Sequence, residues 1–207
     1  GSFGTVSCFS TQTYKHINSG EGGLLVTDDP DVISRAIIHS GSYMLYERHT
    51  ARPAMQVFEP LKTMVPNYSC RMDNLRAAIL RPQLQMLDEQ CARWNKRYQI
   101  LEKGLNGIEG ISCPERDPSE SYVGSSIQFS LNGRNEETIK TFLQGCMDRG
   151  VELKWFGWKY FSGLPSLPNT DRILSTMCDM RIPLTFSEDD CKTILDIIKS
   201  VARTVLF

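Results

Sequence analysis

Apolar positions recur along the chain with two periods, two and about 3.6 residues, and the switches between them lay out a mixed α/β protein. Residues 6–10 alternate apolar and small side chains and predict a strand. Residues 23–27 form a short apolar run that predicts a second, ending at the turn residues Asp28, Asp29 and Pro30. Asp29 reads as an N-cap with Pro30 in the first helical position, and Val32, Ile33, Ala36 and Ile37 keep helical spacing to near Ser40. Residues 41–66 show no clean period, carry Pro53, Pro60 and Pro66, and include the aromatic and basic stretch Tyr43, Tyr46, Arg48 and His49, so a long loop is expected. From Met72 to Lys103 the helical period resumes through Leu75, Ile79, Leu84, Leu87, Trp94, Tyr98 and Leu101, with a kink expected at Pro82 and a stop at Gly104. A helix of that length can bridge two domains. Beyond it the pattern predicts a strand over 122–131, a helix over 135–149 stopped by Gly150, and strands over 151–155 and 180–183. Ser187 and Asp190 then form a capping box ahead of a last helix ending near Val205.

The chain has 207 residues, 41% of them hydrophobic and 23% charged, which is an ordinary globular composition with room for a core. Its 23 basic and 24 acidic residues leave a formal charge of -1, so no global field draws it to nucleic acid or to a membrane surface, and any charged ligand must be held locally. Seven cysteines form an odd set without C-x-x-C or histidine spacing; no metal site is expected, and the thiols read as small hydrophobes of a reduced, cytoplasmic protein. No apolar run is long enough to span a bilayer, and the first residues lack the basic-then-apolar order of a signal peptide.

Candidate chemistry concentrates between Cys8 and Gly23. Lys15 stands just after the first strand and before the polar, glycine-dense run Asn18-Ser19-Gly20-Glu21-Gly22-Gly23, where backbone can approach a ligand and an amine can point into a cleft. Position alone favours an exposed turn lysine. The pattern S-x-Q-x-x-K-x-x-x-x-G-E-G-G from Ser10 to Gly23, followed by an apolar strand and T-D-D-P, resembles the lysine motif of the DegT/DnrJ/EryC1/StrS family of pyridoxal-phosphate-dependent aminotransferases. Downstream, Tyr68-Ser69-Cys70-Arg71-Met72-Asp73-Asn74-Leu75-Arg76-Ala77-Ala78 resembles the family's Y-N-Y-R-M-S-E-L-Q-A-A, and Gln83-Leu84 through Leu87-Asp88 its Q-L-x-x-L-D. The likeness is clear to about Lys103 and looser beyond.

The resemblance implies the C-terminal portion of an α/β, fold-type I aminotransferase: a remnant of the large pyridoxal-phosphate domain over 1–95 and a small α/β domain over 96–207. It implies amino transfer from glutamate or glutamine to a keto-sugar nucleotide or keto-cyclitol, with pyridoxal 5'-phosphate as cofactor and a homodimer as the assembly. Lys15 falls on the Schiff-base lysine, where a primary amine is needed both to bond the cofactor aldehyde and to carry a proton. Ser10 falls on the hydroxyl that helps bind the cofactor phosphate, and Arg71 on the position that reaches that phosphate from the partner subunit. Gln12, also at the cofactor site, stands where many sugar-nucleotide enzymes carry an aromatic residue or histidine, and resembles the cyclitol branch. Gly20, Gly22 and Gly23 read as backbone-permissive positions, Glu21 as structural, and His16, His39 and His49 as surface or packing residues. Trp155, Phe156, Trp158, Tyr160 and Phe161, with Lys154 and Lys159, read mostly as small-domain core or dimer surface, with stacking on a substrate as the alternative.

Family members are longer, and the part ahead of Lys15 would carry the aspartate for the pyridinium nitrogen, the ring-stacking residue and the phosphate-cradling amides. Two arrangements follow as expectations: a portion of a longer or two-chain enzyme, or a truncated relative that self-associates as an inactive binding or scaffolding protein. A phosphate-binding glycine loop serving other chemistry is a third. In each of the first two, the apolar faces of Val6, Phe9, Leu24 and Val26 need a cover, so the 207-residue chain alone is expected to self-associate and to lack turnover.

Overall fold

The structure, a computed structural model, describes residues 1–41, 45–157 and 167–207, which divide into two compact units, Gly1–Leu87 and Asp88–Phe207. In the first, β1 (Ser7–Ser10) and β2 (Gly23–Val26) form an antiparallel hairpin in which Ser7 faces Val26 and Ser10 faces Gly23. Helix α1 (Pro30–Ser40) starts as its sequence directs: the Asp29 carboxylate accepts the Asp31 and Val32 N–H groups at 2.9 and 3.2 Å, and Pro30 opens the first turn.

Over 45–66 the chain departs from the loop expected for 41–66. It carries a 3-10 turn, Leu45–Arg48, and a short helix α2 (Met55–Phe58), and it buries Tyr46, Phe58, Leu61 and Val65 against Ile37 and Ile38 of α1. The Tyr46 and Phe58 rings stack at 4.7 Å. The prolines break the segment into turns too short to show a period, yet apolar burial at Phe58, Leu61 and Val65 is enough to pack it. Tyr43, named in the same stretch, lies outside the described residues. The long helix is also two: α3 (Asn74–Gln85), capped by Asp73 and containing Pro82, and α4 (Leu87–Asn106), with the break at Met86. Pro82 has no N–H to give the helical ladder, and the break falls one turn beyond it.

The second unit is a four-stranded antiparallel sheet in the order β3-β4-β6-β5, made of β3 (Ile111–Ser112), β4 (Ser126–Leu131), β5 (Lys154–Trp155) and β6 (Met177–Arg181). Helices α5 (Glu136–Met147), α6 (Pro168–Leu174) and α7 (Glu188–Val205) complete it. Because β4 and β5 both pair antiparallel with β6, they run parallel to each other with β6 inserted between them, a split β-α-β crossover through α5. Ile127, Phe129 and Leu131 alternate inward from β4 and meet Ile139, Phe142 and Cys146 of α5, Ile198 and Val201 of α7, and Tyr98, Leu101 and Leu105 of α4. The Ser187–Asp190 capping box forms as the sequence predicts.

Several boundaries move for local reasons. The strand expected over 122–131 begins only at Ser126, because Asn95 of α4 accepts the Gly124 N–H at 2.7 Å and donates to the Tyr122 carbonyl at 2.9 Å, taking those groups out of any ladder. The strand expected over 151–155 shrinks to Lys154–Trp155, since the Val151 N–H is still bonded to the Cys146 carbonyl at the end of α5. The strand expected over 180–183 instead spans Met177–Arg181, and β3 and α6 were not anticipated. Gly104 does not end α4. It lies inside the helix with Leu195 of α7 packed where a Cβ would be, 2.4 Å from Leu195 Cδ1, so it serves close helix packing rather than a cap.

The core makes a prediction for thiol chemistry. Burial pushes the Cys113 thiol up to about 11 and those of Cys146 and Cys178 up to about 12, whereas Cys8 and Cys70 are exposed. With iodoacetamide at neutral pH, peptide mass spectrometry should find Cys8 and Cys70 labelled first, and Cys113, Cys146, Cys178 and Cys191 only after unfolding. Early labelling of Cys178 would contradict this core.

Candidate active site

The candidate residues of the first motif sit on the loop that joins β1 to β2. Its stem continues the hairpin: the Thr11 N–H bonds the Gly22 carbonyl and the Thr13 N–H the Gly20 carbonyl, both at 2.9 Å. Thr11 is fully buried, its hydroxyl 3.4 Å from that of Ser19. Gly22 is required here on two counts. Its φ of 137° is left-handed, and a Cβ would fall 2.7 Å from Thr11 Oγ1 and 3.0 Å from Met72 Cε.

The stem projects a tight turn that gathers three of the four predicted residues. Ser10 ends β1, exposed, and its Oγ accepts the Gln12 N–H at 3.3 Å, leaving its hydroxyl hydrogen free to donate. Gln12 is half-buried; its Oε1 accepts the Tyr14 N–H at 3.1 Å and its carbonyl accepts the Lys15 N–H at 2.9 Å. The Lys15 side chain is exposed and makes no hydrogen bond or ion pair with a described residue. Next to it, desolvation of the His16 ring, and secondarily the Lys15 charge, hold the imidazole below its usual pKa. At neutral pH His16 therefore adds no second positive charge beside the amine.

Arg71 is not joined to these three: among the described residues no hydrogen bond or ion pair links it to Ser10, Gln12 or Lys15. It follows residues 66–70, which dock on the end of α1. There the His39 carbonyl accepts the Tyr68 and Cys70 N–H groups at 3.1 Å, His39 Nδ1 lies 2.9 Å from the Pro66 carbonyl, and the His39 and Tyr68 rings stack at 5.4 Å. His39 is thus a packing residue. Its neighbour Met72 contacts the loop at Gly22, and Gln83 of α3 bonds to the backbone of Asn18. Gln83 and Thr11 were given no role from the sequence; the one available signal was the position of Gln83 inside a matched motif.

Chemically, an unpartnered primary amine can bond an aldehyde, and the Ser10 hydroxyl and Arg71 guanidinium can donate to a phosphate. Of the aromatic stretch, Trp155 packs on the core and donates its Nε1–H to the Ser175 carbonyl at 3.0 Å, while Phe156 is exposed. Trp158, Lys159, Tyr160 and Phe161 lie outside the described residues. Among the described residues, no cluster of His, Cys, Asp and Glu is placed to hold a metal, and no helix is long and apolar enough to cross a membrane.

The sequence profile of the DegT/DnrJ/EryC1/StrS aminotransferase family matches residues 1–199. An L-glutamine:2-deoxy-scyllo-inosose aminotransferase of Streptomyces fradiae is 36% identical over 153 residues, covering 73% of this chain and 32% of that protein. GDP-perosamine synthase of Escherichia coli O157:H7 is 28% identical over 137 residues, covering 66% of this chain and 35% of that protein. Among solved structures, the aminotransferase TlmJ from Streptoalloteichus hindustanus is similar with a TM-score of 0.74 at 18% identity, over 99% of this chain and 54% of that one. The fold is therefore that of part of an α/β aminotransferase. The chain spans about half the length of the solved relative and its matches about a third of the curated ones.

Proposed function

Because the chain belongs to the DegT/DnrJ/EryC1/StrS aminotransferase family, we propose that it is the lysine-bearing portion of a pyridoxal 5'-phosphate-dependent enzyme. That enzyme moves an amino group from glutamine or glutamate to a keto-cyclitol or a keto-sugar nucleotide. The observation that carries this reading is Lys15, an amine with no hydrogen-bond or ion-pair partner among the described residues, held at the tip of a loop whose stem requires Gly22. When bound, the cofactor supplies an exchangeable aldehyde and a ring that delocalises the electron pair released at the substrate carbon. Lys15 holds the aldehyde and moves the proton, Ser10 donates to the phosphate, and neutral His16 leaves Lys15 as the one cation of the turn. Gln12 lies beside them, and together with a relative that acts on 2-deoxy-scyllo-inosose it favours the cyclitol over the nucleotide sugar.

The assembly we propose is a homodimer in which Arg71 serves the phosphate of the second copy. It is supported by α3, which buries Leu80 on one side and leaves Leu75 and Ile79 exposed along the other. A longer or second polypeptide completes the large domain, since Val6, Phe9, Leu24, Leu25 and Val26 of the hairpin are 39% to 48% exposed on both of its faces. The test is complementation in the assembled enzyme, with glutamine as donor and either a keto-cyclitol or a nucleotide-linked keto-sugar as acceptor. Arg71→Ala and Lys15→Ala homodimers should each be impaired, and mixing them should restore one intact site per heterodimer. Absence of recovery despite confirmed subunit exchange would refute the shared site, and transfer to neither acceptor would refute the substrate class.

A further inference from the structure

We propose that Gln83 is a positioning residue that sets the location of Lys15 from α3; the inference rests on the functional reading of Lys15 above. The Gln83 carboxamide meets the backbone of Asn18 with both of its polar atoms. Nε2 donates to the Asn18 carbonyl at 2.7 Å, and Oε1 accepts the Asn18 N–H at 2.9 Å. The pair replaces one rung of a sheet ladder, made across 65 residues of sequence by a side chain. The second Nε2 hydrogen goes to the Ile79 carbonyl one turn back at 2.9 Å, which fixes the rotamer on the helix.

From Asn18 the chain of bonds runs on to the amine-bearing residue. Asn18 Nδ2 reaches the Lys15 carbonyl at 3.4 Å, and the Lys15 N–H bonds the Gln12 carbonyl at 2.9 Å. The hairpin rungs end at Thr13 and Gly20, so the tip that carries Lys15 lies beyond the ladder and depends on such side-chain anchors. Met72, just ahead of α3, touches the stem at Gly22, and the loop is thus held from the α3 segment at both its stem and its tip. A carboxamide presents a donor and an acceptor to the N–H and C=O of one residue in this way: glutamate keeps the acceptor and loses the donor, and leucine loses both.

The experiment uses the assembled enzyme carrying the wild-type sequence or one of three variants, Gln83→Leu, Gln83→Glu and, as a control at an exposed position of α3, Gln85→Leu. Two quantities are read: hydrogen exchange at the Asn18 amide, and the yield of pyridoxal phosphate fixed on Lys15 by borohydride, located by peptide mass spectrometry. Gln83→Leu should speed Asn18 exchange about tenfold, as expected for losing a hydrogen-bonded pair, and lower the Lys15 yield by a similar factor. Gln83→Glu should keep the Asn18 amide slow while the Lys15 yield still falls, because only the donor is gone. Gln85→Leu should match the wild type. Unchanged Asn18 exchange in Gln83→Leu would overturn the clamp, and faster exchange with an unchanged Lys15 yield would overturn its positioning role. If Gln83→Leu does not fold, Gln83→Glu carries the test, and a Lys15 yield equal to wild type refutes the proposal. A wild-type chain that is never labelled at Lys15 even in the assembled enzyme refutes the function proposed above, and Asn18 exchange then decides the clamp by itself.

Discussion

Lys15→Ala is expected to lower amino transfer in the assembled enzyme by about 10²- to 10⁴-fold or more, the range for removing a group that moves a proton in the transition state. The covalent attachment of the cofactor would be lost as well. The fold should not notice the change: the Lys15 side chain is exposed and makes no hydrogen bond or ion pair with a described residue, and such substitutions usually stay within about 0.5 kcal/mol. Activity and stability therefore separate cleanly. Lys15→Arg sharpens the result, because it keeps the charge beside His16 but offers no nucleophilic amine at neutral pH. Steady-state transfer from glutamine, read beside a thermal melt, checks both halves. A Lys15→Arg enzyme with wild-type turnover would leave the lysine a mere positive charge and sink the proposed mechanism.

How far the sequence could be read depended on whether each signal was local. The start of α1 at Asp29 and Pro30 and the Ser187–Asp190 box are set by residues within a turn of one another, and each appears where the pattern placed it. The two strands that flank Lys15 are legible for the same reason, whereas their antiparallel pairing is seen only in the structure. What escaped was set by contacts distant in sequence. Gly104 looks like a helix stop until Leu195 arrives from α7 to occupy the space of its missing side chain. Tyr122 and Gly124 look like strand until Asn95 claims their backbone groups. The Gln83–Asn18 pair spans 65 residues and has no period to betray it. The stretch 45–66 fails differently: Tyr46, Phe58, Leu61 and Val65 do pack, but in turns too short for periodicity to register.

Gly124→Ala is expected to destabilise the second unit by about 3 kcal/mol, the upper end of what overpacking a filled core costs. A Cβ at Gly124 would lie 2.3 Å from Tyr98 Cβ and 2.5 Å from its Cγ, so the obstacle is the root of a side chain fixed to α4 and not a flexible tip. Tyr98 cannot yield by rotation: it is fully buried, its ring meets that of Tyr122 edge-on at 5.2 Å, and the Arg116 guanidinium lies over both rings. The segment must retreat instead, and that strains the two bonds by which Asn95 holds Tyr122 and Gly124, each worth about 1 kcal/mol. The described tryptophans, Trp94 and Trp155, belong to the second unit, so urea unfolding followed by their fluorescence reports on that unit. Gly133→Ala is the comparison: its φ of 67° is left-handed but a Cβ there meets open space, so its cost of about 1–2 kcal/mol is backbone strain alone. The decisive measurement repeats Gly124→Ala on a Tyr98→Ala background. Alanine retains the Cβ that stands closest to Gly124, so the penalty should persist there. A penalty that vanishes with the ring would place the conflict in the aromatic cluster and refute a backbone approach that only glycine permits.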